Sequence, residues 1–230
     1  YGLVLNSCQV EKKSPSAAEI LGNPNYMAFS YGGFRLKSRD LPPSVEEIKE
    51  DMRILAAAGT KIIRTYNTQL YPHASRILQA IRESKKEEPS FEMYVMLGAW
   101  IECKDPWTAK PIHSEEYTKQ NAAEISTAIE LAKTYEDIVK IIAVGNEAMV
   151  HWAQGYFVTP DIILKYVKQL QELKKQGDLN SELWITSSDN FASWGGGSAD
   201  YHREELIDLL KEVDYVSMHT YPFHDTHYNK

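Results

Sequence analysis

The chain has little cysteine. Its two residues, Cys8 and Cys103, lie far apart and show no C-x-x-C spacing, so neither a structural zinc site nor a disulfide framework is encoded. No apolar run approaches the roughly 20 residues that cross a bilayer, which argues against membrane insertion. A Gly-x-Gly-x-x-Gly turn after the first strand-like segment is missing, as is a Gly-x-x-x-x-Gly-Lys-[Ser/Thr] loop. Dinucleotide and nucleoside-triphosphate cradles of those two kinds are therefore disfavoured. Basic charge is also short: 25 Lys and Arg against 32 Asp and Glu give a net charge of -7. The densest basic cluster, near Lys174-Lys175, reads as the solvated end of a helix. Nucleic acid is not an expected partner for such a chain. Leu5-Asn-Ser-Cys8 has the outline of a lipoprotein cleavage site, but Asn6 fits it poorly. The chain begins at Tyr1, so a cleaved signal peptide would leave no trace.

What is present is a globular composition, with 43% hydrophobic and 11% aromatic residues over 230 positions. That is enough for one large core. Residues 1–26 read as an irregular leader packed on a domain spanning 27–230. Strand and helix then alternate. Met27–Phe34 is strand-like. Ser44 and Glu47 have capping-box spacing and open a helix that ends at Gly59. Lys61–Tyr66 is a second strand, followed by a helix over about Pro72–Ser84. Phe91–Trp100 is a third strand and Ser114–Thr134 a long helix. Val139–Glu147 is the fourth strand, with a short run of Ile, Ala and Val that ends abruptly in a polar Asn-Glu pair. Asp161–Gln176 has a helical period. Leu183–Thr186 starts a fifth strand, Arg203–Lys211 is a helix and Val213–Tyr221 a sixth strand.

This alternation predicts a parallel sheet covered by helices. A doubly wound sheet and a (β/α)₈ TIM barrel both satisfy it. The strand ends favour the barrel, because barrels gather chemistry at the carboxyl ends of their strands. Those ends read Arg64-Thr-Tyr66-Asn67, Gly98-Ala-Trp100 with Glu102 close behind, Asn146-Glu147, Ser187-Ser-Asp189-Asn190 and His219-Thr-Tyr221. A carboxylate, amides, one guanidinium and flat rings suit a neutral polyhydroxylated ligand. Only one strand end is basic, so a phosphorylated ligand suits the set less well. Glu147 has a plainer reading as the acid at a helix start.

Arg at strand two, Asn-Glu at strand four and His-x-Tyr at strand six together resemble the retaining glycoside hydrolases built on (β/α)₈ barrels. Ile63-Arg-Thr-Tyr66, Val144-Gly-Asn-Glu147 and Ser30-Tyr31 look most like glycoside hydrolase family 17, the β-1,3-glucanases and glucanosyltransferases. The resemblance runs from about Met27 to Tyr221. It implies Glu147 as general acid/base and Asn146 on the sugar 2-hydroxyl. It implies Arg64 beside a second carboxylate, His219 and Tyr221 shaping the same region, and Trp100 as a stacking wall; the strand ends add Tyr66, Asp189 and Asn190 as candidate substrate contacts. It calls for no cofactor and no metal, and it favours a secreted, periplasmic or cell-surface location.

The pattern also departs from the family. The family's nucleophile is a Glu at the end of strand seven, and only about six βα units are present. The expectation is an incomplete barrel, inactive alone, lacking ~60–100 residues by analogy with usual barrel lengths or taking them from another chain. A non-catalytic carbohydrate-binding barrel and a transglycosylase remain alternatives. Trp107, Trp152 and Trp184 read as packing residues. Trp194, beside Gly195–Gly197, is either a loop anchor or a distal sugar platform. His224-Asp225-x-His227 is a weak metal motif.

Overall fold

The computed structural model describes residues 14–221. Six parallel strands form one sheet: β1 (Met27–Ser30), β2 (Thr60–Arg64), β3 (Tyr94–Ala99), β6 (Val139–Asn146), β7 (Trp184–Asn190) and β8 (Ser217–His219), in that spatial order. These are the six strands expected from the sequence, in chain order. Crossovers run through α2 (Val45–Ala57), α3 (His73–Glu87), α4 (Thr118–Thr134), α5 (Pro160–Gln176) and α6 (Glu204–Glu212). The architecture is the open arc of a (β/α)₈ barrel, as the strand ends suggested.

Side chains alternate across the sheet. Ile63, Val95, Leu97, Ile142, Val144 and Ile185 point outward into the main core, where Ile48, Ile77, Ile81, Ile163 and Val167 of the helices meet them. Ile62, Tyr94, Met96, Ile141 and Ala143 point to the inner side of the arc. Helix starts follow local chemistry. Ser44 and Glu47 exchange side-chain and backbone bonds in a complete capping box at α2, and Gly59 follows its last turn at φ +91°. Gly177, left-handed, ends α5.

The leader carries structure of its own. A one-turn helix, α1 (Ala17–Ile20), starts at a second capping box, Ser16 with Glu19. Ala17 and Ile20 are fully buried and pack on Met96, Ile141, Ile62 and Tyr94, near the amino ends of the strands. Ser14 Oγ donates to the Asp137 carbonyl at 2.7 Å, just before β6. This turn floors the inner side of the arc.

Two expectations change. The helix read from Ser114 begins at Thr118, because residues 112–116 form β5 (Ile112–Glu116), paired antiparallel with β4 (Cys103–Lys104). The hairpin was missed because β4 is two residues long, below any periodic signal. Trp107 and Trp152 are exposed rather than packed. Trp184 is packed, against Tyr215 on the inner face. Trp194 is the loop anchor: it is buried and its Nε1 donates to the Ser217 carbonyl at 3.1 Å. Cys8 and the His224–His227 motif lie outside the described residues; Cys103 is a buried free thiol. Among the described residues, no helix is long and apolar enough to cross a membrane.

Ile20→Ala removes a fully buried side chain and is expected to cost about 2–5 kcal/mol. Ile54→Ala, on the exposed side of α2, should change stability by no more than about 0.5 kcal/mol. Urea unfolding followed by circular dichroism compares them, and equal midpoints would show that α1 does not brace the sheet.

Candidate active site

The end of β6 departs from regular pairing. Between Ala143 and Asn146 the register with β7 shifts, so three steps on β6 face two on β7. Gly145 sits in this bulge at φ +83°, where an added Cβ would lie 2.8 Å from Ala148 Cβ. Only glycine fits such a position without strain. The extra residue keeps Asn146 on the inner side with Ala143. Glu147 follows, itself left-handed at φ +47°, with its N–H bonded to the Ser188 carbonyl at 2.8 Å. A non-glycine residue held there stores on the order of 1–3 kcal/mol and points to function.

Two contacts orient these side chains. Arg64 Nη2 donates to Asn146 Oδ1. A guanidinium can only donate, so the Asn146 oxygen must face it and the amide N–H₂ faces away. Arg64 also reaches Ser30 Oγ at 3.4 Å and lies over the Tyr66 ring at 5.0 Å. Burial pulls the Arg64 pKa down, and the nearby Tyr66, Tyr221 and Glu147 oppose the shift. Among the described residues no carboxylate lies within ion-pair range of it, and its buried Nε has no partner. The second contact joins His219 Nδ1 to Glu147 Oε1 at 3.0 Å. His219 Nε2 meets Ser188 Oγ at 2.8 Å, and Ser188 Oγ meets Ser217 Oγ at 3.1 Å. An ionised carboxylate only accepts, so Nδ1 carries the proton and a neutral ring accepts at Nε2 from the Ser188 hydroxyl. Tyr221 stands edge-on to His219 at 6.4 Å.

This arrangement is a strand-end carboxylate with one oxygen pinned, beside an oriented amide and a half-buried cation. Residues 28–230 match the BtgE/BtgC glycoside hydrolase domain. The chain belongs to this glycoside hydrolase family. An endo-laminarinase from Formosa Hel1_33_131 superposes on the domain with a TM-score of 0.90 and 61% identity, over 94% of this chain and 55% of the laminarinase. A β-1,3-glucanosyltransferase of glycoside hydrolase family 17 from Rhizomucor miehei superposes at 0.59 and 18% identity, over 87% of this chain and 59% of its own. An active-site mutant of the Rhizomucor miehei glucanosyltransferase, in complex with laminaritriose, also matches at 0.59. At such identity these two show the fold alone. The domain thus spans little more than half of each of these solved chains. No curated protein sequence matches it.

Within this glycoside hydrolase domain, the fold brings Arg64, Tyr66, Asn146, Glu147, His219 and Tyr221 together. Trp100 is half-buried nearby; its Nε1 donates to Glu102 Oε2 at 3.2 Å. Asp189 is placed otherwise than expected. Neighbours on a strand point to opposite faces, and Ser188 and Asn190 take the inner register with Ser217 and His219. Asp189 is therefore turned outward and is completely buried, accepting from Met149 N–H and Asn190 N–H, both at 2.7 Å. It holds the loop after Glu147 in place. Asn190 is also buried, and its Oδ1 caps the following turn by accepting from Ala192 N–H at 3.0 Å. Ser188 is the residue the sequence reading missed. The alternation that excludes Asp189 would have selected it. Among the described residues, no three His, Cys, Asp or Glu converge on a possible metal position.

Burial pushes the Asp189 carboxyl up to about 6, with the Met149 and Asn190 N–H bonds opposing. A carboxyl raised by folding makes the native state take up protons. Stability from this group is therefore highest below its unfolded value near 3.8 and declines until pH passes about 6, at roughly 1.4 kcal/mol per unit at most. Unfolding free energies across pH 4–7 should show this decline in the parent protein and lose it in Asp189→Asn. An unchanged slope in the variant would show that Asp189 does not titrate there.

Proposed function

We propose that the domain is the larger part of a retaining β-1,3-glucan hydrolase in which Glu147 is the general acid/base. The observation that carries this reading is the asymmetric hold on Glu147. Its Oε1 is fixed by His219 Nδ1, and among the described residues Oε2 has no hydrogen-bond partner. Oε2 is the oxygen free to carry a proton to a glycosidic oxygen. The 61% identity to a protein described as an endo-laminarinase supports the substrate class.

In the first step, a second carboxylate attacks the anomeric carbon as the C–O bond to the leaving sugar breaks. Glu147 Oε2–H gives its proton to the departing oxygen. In the second step, the ionised Glu147 takes a proton from water, and that oxygen attacks the same carbon to release the enzyme carboxylate. Ser188 keeps His219 in the tautomer that bonds Oε1, so the ring steadies Glu147 through both steps without consuming its acidic proton. The Asn146 amide N–H₂, turned from Arg64, donates to the sugar 2-hydroxyl. The second carboxylate is a Glu beyond residue 230, on the side of the barrel that the six strands leave open. Arg64 waits there as its counter-ion, and Tyr66, Tyr221 and Trp100 line the sugar.

Glu147→Gln in the complete protein tests the reading. The isosteric amide keeps the His219 contact but cannot donate an acidic proton. On laminarin, kcat should fall by about 10²–10⁴-fold, with unfolding temperature little changed. Unchanged kcat would exclude Glu147 as the acid.

A further inference from the structure

Trp107 is the most exposed tryptophan among the described residues, at 66% of its surface, and yet its position is fixed. Its backbone is left-handed at φ +60°, a conformation that a bulky side chain rarely adopts. Its N–H donates to the Gly155 carbonyl at 2.7 Å. Its indole Nε1 donates to Glu102 Oε2 at 3.3 Å, the same oxygen that receives Trp100 Nε1 at 3.2 Å. Glu102 is buried and tied to α4 on both backbone sides: its N–H reaches Asn121 Oδ1 at 3.1 Å, and its carbonyl accepts from Asn121 Nδ2 at 2.9 Å.

The ring is bedded from beneath. Tyr156 lies 5.0 Å from the Trp107 ring at 35°, and 4.8 Å from the Trp100 ring at 40°. Gly155 leaves room for the indole, since a Cβ there would come within 2.7 Å of Trp107 Cε3. One side of the indole is thus seated on Gly155 and Tyr156, and the exposure belongs to the other. A packing residue would be buried. Here backbone strain, a glycine and a shared carboxylate together hold an apolar plate open to water. The row Trp100–Tyr156–Trp107 leads outward from the end of β3, so the plate belongs to the same mouth as Glu147.

We propose that Trp107 is a stacking platform for a distal sugar unit of a bound β-glucan chain, and that Glu102 is the residue that positions it. This rests on the β-glucan reading above and assigns a binding position beyond the unit cleaved. A pyranose ring presents C–H groups on its apolar face, and a rigid indole receives them without ordering cost at binding. Glu102 takes both indole N–H groups at the ring edges, so the outer face of Trp107 stays free for sugar.

The test uses the complete protein in the Glu147→Gln background for calorimetric binding and the unmodified background for kinetics. Trp107→Ala should weaken laminarihexaose binding about tenfold, the scale of one aromatic contact. Laminaritriose, which spans fewer positions, should lose less. In turnover, KM for hexaose should rise with kcat unchanged, and Trp107→Phe should restore most of the affinity. Unaltered hexaose affinity in Trp107→Ala overturns the platform and leaves the β-glucan reading in place. Equal losses for both sugars, or a fall in kcat, overturn a distal stacking role in favour of a structural one. A parent protein that neither binds nor cleaves laminarihexaose overturns both.

Discussion

The bulge at Gly145 is the constraint on which the site depends. A regular strand would turn Gly145 inward and Asn146 outward into the helical layer. One extra residue, accommodated by a left-handed glycine, returns Asn146 to the inner face, where Arg64 takes its oxygen. The same irregularity brings Glu147 back toward β7, so that its N–H closes on Ser188. Ser188 then serves twice, with its carbonyl holding the Glu147 backbone and its hydroxyl bonding the imidazole that holds the Glu147 side chain. Backbone and carboxylate are located by one neighbouring residue, which limits the freedom of Glu147 in a way that no single side-chain contact would.

The barrel arc was legible because its strands are continuous apolar runs ending in polar residues, and its helices carry caps and periodicity. The run Ile141–Val144 has no polar alternation, which suits a strand covered on both faces. Arg64, Asn146, Glu147 and His219 were placed at strand ends from the sequence, and hydrogen bonds join them there in two pairs, Arg64 with Asn146 and His219 with Glu147. Strand alternation separates Asp189 from the mouth: it falls in register with Met218 on the outer side of β7, while Asn190 takes the inner register with His219. The seat of Trp107 depends on a contact between residues about 50 positions apart, Trp107 with Gly155, and no local pattern encodes it. The positive φ at Trp107 leaves no mark in the sequence either.

Charge and surface are incompletely balanced along the edges of the arc. Phe29 on β1 and Met218 on β8 each expose about half of their surface, as sheet edges in a closed barrel do not. Arg64 is half-buried, with its Nε enclosed and no carboxylate in range among the described residues. A desolvated cation is costly without an anion, and the solved relative of 61% identity extends well past the length matched here. Hydrophobic edges and an unmatched charge are what six strands of an eight-strand barrel should display.

The helical turn at Ala17–Ile20 gives the arc a shape with kinetic meaning. It seals the amino-terminal end of the strands from inside, with Ala17 and Ile20 fully buried against inward-pointing strand residues. The curled sheet is a cup and not a tube. The amino ends of the strands are covered on this side, and their carboxyl ends are left open. Exchange with solvent on this side therefore passes the carboxyl ends of the strands, where Asn146, Glu147 and His219 stand.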